Sequence, residues 1–345
     1  MTRTPRILFY ADGGPLVGGG HVMRCLTLAQ ALMARGAECA FVAPPEVKAV
    51  IDAFAPTLGA HKVEALFAPD DDLEGQVLAC QRLAAHRAPD WLVVDHYRLD
   101  ARLEQGLRAP GRRIMVLDDH ASRPRDCDLM LDPGYGRAAE AYGDLVPGWT
   151  KVLAGPAFAL VRPEFAEARA EALALRPQVR RILVSLGLTD VGAISERVVR
   201  ALLPVLDGVT VDVAFGSGAS SLKTLRALGH AQVNLHVDAR DMASLMSEAD
   251  LCIGAGGSSV WERACLGLPA VTVVLADNQR DLARSMAADG LTLAVDTHLP
   301  NFEAKLVEAF KTLAGDVALR PAMSARLAGL CDGQGAGRVA EAMLA

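Results

Sequence analysis

Twice in this chain a short apolar run breaks into a glycine-containing turn and then into a helical pattern, and this feature narrows the possible folds more than any other. Ile7-Leu8-Phe9-Tyr10-Ala11 has the length of a buried strand. After a glycine-rich loop, Val22, Cys25, Leu26, Ala29, Leu32 and Met33 recur at helical spacing, and Gly36 ends that helix. The pattern restarts at Arg181-Ile182-Leu183-Val184-Ser185-Leu186-Gly187, with a helix expected from about Ser195 to Leu206. Apolar runs at 39–42, 91–94, 114–117 and 129–131 follow the first start, and runs at 209–215, 233–236, 251–253 and 271–275 follow the second. Helical or polar segments separate them, the alternation expected of parallel sheets.

With 345 residues, 51% of them hydrophobic, the chain is expected to form two α/β domains rather than one core. The stretch from Gly155-Pro156 to about Pro177 has the composition of a linker carrying one Ala/Glu/Arg-rich helix. The boundary is therefore set at an N-terminal domain over 1–155 and a C-terminal domain over 156–345, with the last helix expected to pack back on the first domain. A net charge of −6 and the absence of any Lys/Arg block argue against a nucleic-acid partner. No apolar stretch approaches the roughly 18 to 20 residues of a spanning helix, and the run at 7–11 is too short for a signal-peptide core, so a cytoplasmic protein without a membrane partner is expected. Seven dispersed cysteines without a C-x-x-C pair and eight scattered histidines give no disulfide framework and no metal site. No cofactor is called for.

Open parallel sheets place ligands at the carboxyl ends of their strands, so the loops after strands are the places to look for chemistry. Gly18-Gly19-Gly20-His21-Val22-Met23-Arg24 joins the first strand to the first helix. Its glycines admit a ligand close to backbone N–H groups, and His21 is a side chain able to accept a proton near neutral pH. Gly20 and Arg24 are assigned to substrate binding with it. Asp12, at the end of the same strand, is expected to orient His21 or to hold a sugar hydroxyl. Asp95-His96-Tyr97 follows another strand, and of its three polar groups Tyr97 is preferred as the substrate contact. Asp118-Asp119-His120 has an acidic look, but neighbours on an extended chain point in opposite directions, so Asp119 is read as a loop brace or polar wall rather than a metal ligand.

In the second half, Gly254-Ala255-Gly256-Gly257-Ser258-Ser259 follows a strand and opens a helix over 260–266, offering N–H groups and hydroxyls to an anion. It lacks a P-loop lysine and the complete G-x-G-x-x-G, which argues against an ATPase or a dinucleotide oxidoreductase. Gly256, Gly257, Ser258 and Ser259 are read as a diphosphate seat, Glu262 as an acceptor for ribose hydroxyls, and Asn278 and Gln279 as amides that read the sugar. Ser185 and Gly187 are expected to add a hydroxyl and N–H groups to the phosphates.

The strings Gly-Gly-Gly-His-Val-Met-Arg-Cys-Leu-Thr-Leu-Ala (18–29), Val-Val-Asp-His-Tyr (93–97), Val-Leu-Asp-Asp (116–119) and Gly-Ala-Gly-Gly-Ser-Ser-Val-Trp-Glu-Arg (254–263) together resemble the UDP-2,4-diacetamido-2,4,6-trideoxy-β-L-altropyranose hydrolases of pseudaminic acid biosynthesis. The resemblance runs from about residue 7 to about residue 282. It implies a GT-B fold, two Rossmann-like domains facing each other across a cleft, in which water replaces the sugar acceptor of related glycosyltransferases. It further implies His21 as catalytic residue, Tyr97 as a sugar contact, Glu262 and the 256–259 turn as the UDP site, and Asn278 and Gln279 near the sugar and diphosphate. One position departs from the family: its first strand usually runs into Arg-x-Asp, whereas Tyr10-Ala11-Asp12 keeps only the Asp.

The expected activity is therefore hydrolysis of a UDP-linked diacetamido-trideoxy sugar, by attack of water at the anomeric carbon with inversion, giving free sugar and UDP. A GT-B glycosyltransferase that moves an amino sugar from UDP to an acceptor is the alternative. A UDP-sugar 2-epimerase and a non-enzymatic UDP-sugar-binding module fit the motifs less well.

Overall fold

In a computed structural model of the chain, the described residues are 3–13, 19–43, 51, 62–65, 73–173 and 176–345. Gly18 and the Gly14-Pro15 pair of the first loop lie outside them. The chain divides into two compact units, Met1–Leu160 with Gln334–Ala345, and Val161–Gly333.

The first unit is built on seven parallel strands: β1 (Arg6–Ala11), β2 (Glu38–Ala43), β3 (Lys62–Ala65), β4 (Trp91–Asp95), β5 (Arg113–Leu117), β6 (Leu129–Asp132) and β7 (Lys151–Ala154), in the order β3-β2-β1-β4-β5-β6-β7. Both faces of the central strands are buried, so β1, β4, β5 and β6 are mostly apolar rather than alternating. Ile7, Phe9 and Ala11 of β1 face the side packed by α1 (Gly20–Met33) and the C-terminal helix Gly335–Leu344, whereas Leu8 and Tyr10 face the side that holds Val77, Cys80 and Leu107. The C-terminal helix is secured by Trp91 Nε1, which donates to Met343 O at 2.9 Å. Its first residue must be glycine, because a Cβ on Gly335 would lie 2.7 Å from Ala159 N.

The second unit holds β8 (Arg181–Ser185), β9 (Thr210–Phe215), β10 (Val233–Val237), β11 (Leu251–Ala255), β12 (Ala270–Val274) and β13 (Leu293–Asp296), in the order β10-β9-β8-β11-β12-β13. All of these pairings are parallel. In each sheet the order reverses beside the first strand, between β1 and β4 and between β8 and β11. Those switch points are where a doubly wound sheet opens a crevice at its carboxyl edge.

Most strands fall where the apolar runs place them. β3, β7 and β13, four-residue strands at the sheet edges, lie outside those runs. The helix expected over 195–206 is shorter, Ile194–Leu202, followed by a 3-10 turn at Leu203–Val205. Pro204 lacks the N–H that would continue the α-helical ladder, which accounts for the change. All seven cysteines are free and buried.

Candidate functional site

The carboxyl edge of the first sheet gathers charge around one buried carboxylate. Register pairs Ala11 at the end of β1 with Asp95 at the end of β4. Trp91 and Val93 share the face of Ile7 and Phe9, and period-two alternation carries Asp95 to that same face, toward α1. On α1 the residues one turn apart, His21, Arg24 and Cys25, all reach it. His21 Nδ1 lies 2.5 Å from Asp95 Oδ1, and Arg24 grips the carboxylate with Nε on Oδ2 at 2.5 Å and Nη2 on Oδ1 at 2.6 Å. Cys25 Sγ is 3.7 Å from Oδ2.

These contacts decide a tautomer. The carboxylate can only accept, so Nδ1 carries the proton and donates it to Asp95, leaving the Nε2 lone pair as the basic position of the neutral ring. Arg24 Nη2, 3.2 Å from Nδ1, then sits beside the ring as a second donor to the same carboxylate. Burial would push the Asp95 carboxyl up, but the Arg24 guanidinium and His21 outweigh it and hold Asp95 well below the ordinary carboxylate range. Asp95 is fully buried and His21 is 5% exposed, so this polar cluster is held against the core rather than on the surface.

Tyr97 stands edge-on to His21, ring centroids 4.4 Å apart at 87°. Its hydroxyl donates to Asp119 Oδ2 at 3.2 Å, the oxygen that also receives Arg24 Nη1 at 3.2 Å. Asp119 thus braces the loop after β5 against the residues around His21. Asp12 does not orient His21: its carboxylate accepts from Gly13 N at 2.9 Å and lies 3.8 Å from His96 Nε2. His96, the residue before Tyr97, packs 5.4 Å from Tyr10 on the other face of the sheet, and burial pushes its imidazole down to about 4 against the pull of Asp12. Tyr10 itself is buried in the core, with its hydroxyl on Gln76 Oε1 at 3.1 Å.

In the second unit, register sets Ser185 of β8 beside Gly254 of β11, so the turns after both strands lie next to each other at the switch point. Gly187 has φ near +100°, a conformation that favours glycine, and a Cβ there would meet open space. The turn over 254–258 leads into α-helix Ser259–Cys265, one residue earlier than the sequence reading has it. Gly256 N donates to Val273 O at 3.2 Å, which commits one of the four N–H groups assigned to an anion to the fold. A Cβ on Gly257 would meet nothing within 4 Å, so that part of the turn is open to a ligand.

Gln279 lies against this turn: a Cβ on Gly256 would sit 3.0 Å from Gln279 Cβ. Its Oε1 accepts from Leu275 N at 3.0 Å, which anchors the side chain. Asn278 is exposed in the 3-10 turn Asp277–Gln279. Glu262, in the first turn of the helix, accepts from Arg162 Nε at 3.1 Å and Nη2 at 3.0 Å, both on Oε1. Burial pushes the Glu262 carboxyl up although Arg162 pulls it down. Arg162, 100 residues away in sequence, is absent from the sequence reading, as is Asp95 in its role beside His21. Nothing local in the sequence hinted at either role, since β4 is buried along its whole length and Arg162 lies far from Glu262 along the chain.

The two sheet orders and the helices around them can be set beside known structures. The chain superposes on Acinetobacter baumannii MurG with a TM-score of 0.69 over 99% of both chains at 17% identity. It superposes equally well, at 0.69 and 19% identity, on the spinosyn rhamnosyltransferase SpnG complexed with thymidine diphosphate, covering 99% of this chain and 100% of that one. This is the GT-B fold.

Within that fold, residues 194–326 match the glycosyltransferase family 28 C-terminal domain. The chain resembles the UDP-2,4-diacetamido-2,4,6-trideoxy-β-L-altropyranose hydrolase of Campylobacter jejuni, 25% identical over 288 residues that cover 83% of this chain and 97% of that protein. It is also similar to the spore coat polysaccharide biosynthesis protein SpsG of Bacillus subtilis, 26% identical over 290 residues, covering 82% and 81%. Among the described residues of this GT-B chain no helix is long and apolar enough to cross a membrane.

Proposed function

We propose that the protein is an enzyme acting on a nucleotide sugar, and that it hydrolyses a UDP-linked 2,4-diacetamido-2,4,6-trideoxy sugar to the free sugar and UDP. The observation that carries the reading is the His21–Asp95 pair at the switch point of the first sheet, a base with its proton-bearing nitrogen tied down and its other nitrogen available. His21 Nε2 takes a proton from water as the water oxygen bonds to C1 of the sugar. The C1–O bond to UDP breaks on the opposite face with its electron pair going to the diphosphate, and the anomeric configuration inverts.

Charge grows on the departing diphosphate. In this scheme it is met by N–H groups and hydroxyls of Gly257, Ser258 and Ser259, and each such preorganised donor can contribute about 3 kcal/mol to lowering a barrier. Glu262 accepts from the ribose hydroxyls, Ser185 and Gly187 flank the phosphates, and Tyr97, Asp12, Gly20, Asn278 and Gln279 contact sugar or diphosphate. Arg24 supports the base through Asp95. The likeness to the Campylobacter jejuni hydrolase supports water as acceptor and this sugar class, and through the family resemblance a place in pseudaminic acid biosynthesis and flagellin glycosylation.

Transfer of an amino sugar from UDP to an acceptor is the second reading, favoured by the match to a glycosyltransferase C-terminal domain. One experiment separates the two. The purified protein is incubated with UDP-diacetamido sugars in ¹⁸O-water, and UDP release is followed by NMR. Hydrolysis releases UDP without any acceptor and leaves ¹⁸O on the sugar; release that depends on an added acceptor overturns the hydrolase reading.

A further inference from the structure

Beneath the glycine turn of the second unit lies a guanidinium that no part of the proposed reaction uses. Arg263 is 2% exposed, one helical turn after Ser259. Its Nη2 donates to Ala255 O at 2.9 Å and its Nη1 to Ser259 Oγ at 3.1 Å, so one planar fork spans the turn from its first carbonyl to its last hydroxyl. The glycine at 254 makes room for this: a Cβ there would lie 2.9 Å from Arg263 Cζ and 3.2 Å from Cys252 Sγ.

Both groups it binds are neutral. Among the described residues no carboxylate oxygen forms an ion pair with Arg263, and the neighbouring Glu262 carboxyl is held by Arg162 instead, at 3.0 Å. A buried cation with no carboxylate in direct contact is expensive, since the Glu262 charge acts on it only from a distance and is shared with Arg162, whereas a preformed positive charge becomes favourable once an anion arrives beside it. Its place under the turn puts that anion on the turn itself.

We infer that Arg263 is a positioning residue for the diphosphate: it shapes the 255–259 turn through Ala255 and Ser259 and supplies the buried charge that makes the turn prefer a diphosphate to an uncharged nucleoside. This rests on the reading of the turn as the UDP site. The residue does not touch the nucleotide; it sets the hydroxyl of Ser259 and the field at the open N–H groups.

The test measures binding of UDP and of uridine to the full-length chain by titration calorimetry, for the wild type, Arg263→Gln and Arg263→Lys. The Gln variant keeps a donor for Ala255 O but removes the charge. It should lose about 10- to 100-fold in UDP affinity and less than about threefold in uridine affinity, the scale of one partly buried charge acting on another across several ångströms. The Lys variant keeps the charge and should hold the UDP-to-uridine preference within about tenfold of wild type. Equal losses for UDP and uridine in the Gln variant mark a merely structural role and overturn the inference, as does an unchanged UDP affinity. Should circular dichroism show the Gln variant unfolded, a folded Lys variant that loses the preference overturns it, and one that retains it supports it. A wild type that binds neither ligand overturns the nucleotide reading itself, a result distinct from normal UDP binding with no dependence on Arg263.

Discussion

Asp95 accepts the Nδ1 proton of His21 at 2.5 Å while its two oxygens are gripped from the side by Arg24. The carboxylate is therefore shared between a ring it orients and a cation that balances its charge. The pair makes Asp95 a holder of the tautomer rather than a second base, because a carboxyl kept this far below its ordinary range does not take up a proton near neutral pH.

Replacing His21 by Asn should lower turnover by at least about 10²- to 10⁴-fold, the usual contribution of a general base, and leave UDP affinity nearly unchanged. Asp95→Asn should lower turnover by a comparable factor, since an amide can offer Nδ1 a donor in place of an acceptor and so present the wrong tautomer. Steady-state kinetics with calorimetric UDP binding check both. Near-normal turnover in either variant removes the dyad from the mechanism.

Asp95→Ala carries a second expected cost. Among the described residues it leaves buried Arg24 with only Asp119 as a carboxylate partner, and breaking a buried pair from one side costs about 3 to 5 kcal/mol. Urea unfolding should show a loss of that order, and a double variant Asp95→Ala/Arg24→Met should recover part of it. A single variant as stable as wild type contradicts the buried pair.

Tyr10→Phe should cost about 1 kcal/mol of stability through the lost bond to Gln76 Oε1, and leave KM and kcat within about twofold. The side chain faces the core on the side of the sheet away from Asp95, so it takes no part in sugar recognition. A selective rise in KM would show that it does.

UDP binding should weaken on acidification. The Glu262 carboxyl is held above its ordinary range by burial, so it gains a proton earlier on acidification than an exposed Glu and stops accepting from two ribose hydroxyls. Glu262→Gln should bind UDP more weakly at pH 7.5 and lack this acid limb. Parallel slopes for variant and wild type would separate Glu262 from the ribose.

Stability should carry a different pH signature at Glu104, a buried carboxyl beside Arg125 that burial pushes up to about 7. A folded value above the unfolded value near 4.5 means that the folded state holds the proton more tightly. Its stabilising contribution is complete below about 4.5 and is lost as pH rises through about 7. Between pH 4.5 and 7.5 the stability of Glu104→Gln relative to wild type should therefore shift in the variant's favour by up to about 3 kcal/mol. Urea midpoints across that window give the answer, and a constant difference between the two proteins would refute it.

By itself the sequence determined the parts that depend on near neighbours along the chain. Strand, glycine turn and helix were legible at 7–33 and again at 181–202 because apolar periodicity and glycine act over a few residues. The same locality exposed His21 and the 254–259 turn, which sit at helix starts. Tertiary structure alone decided which distant residues complete them. Strands buried on both faces carry no alternation from which to read their side, so the assignment of Asp95 to the face of His21 and of Tyr10 to the opposite one had to await the β1–β4 register. The Arg162–Glu262 contact and the 74-residue separation of His21 from Asp95 are likewise set by strand order, which hydrophobic runs do not encode.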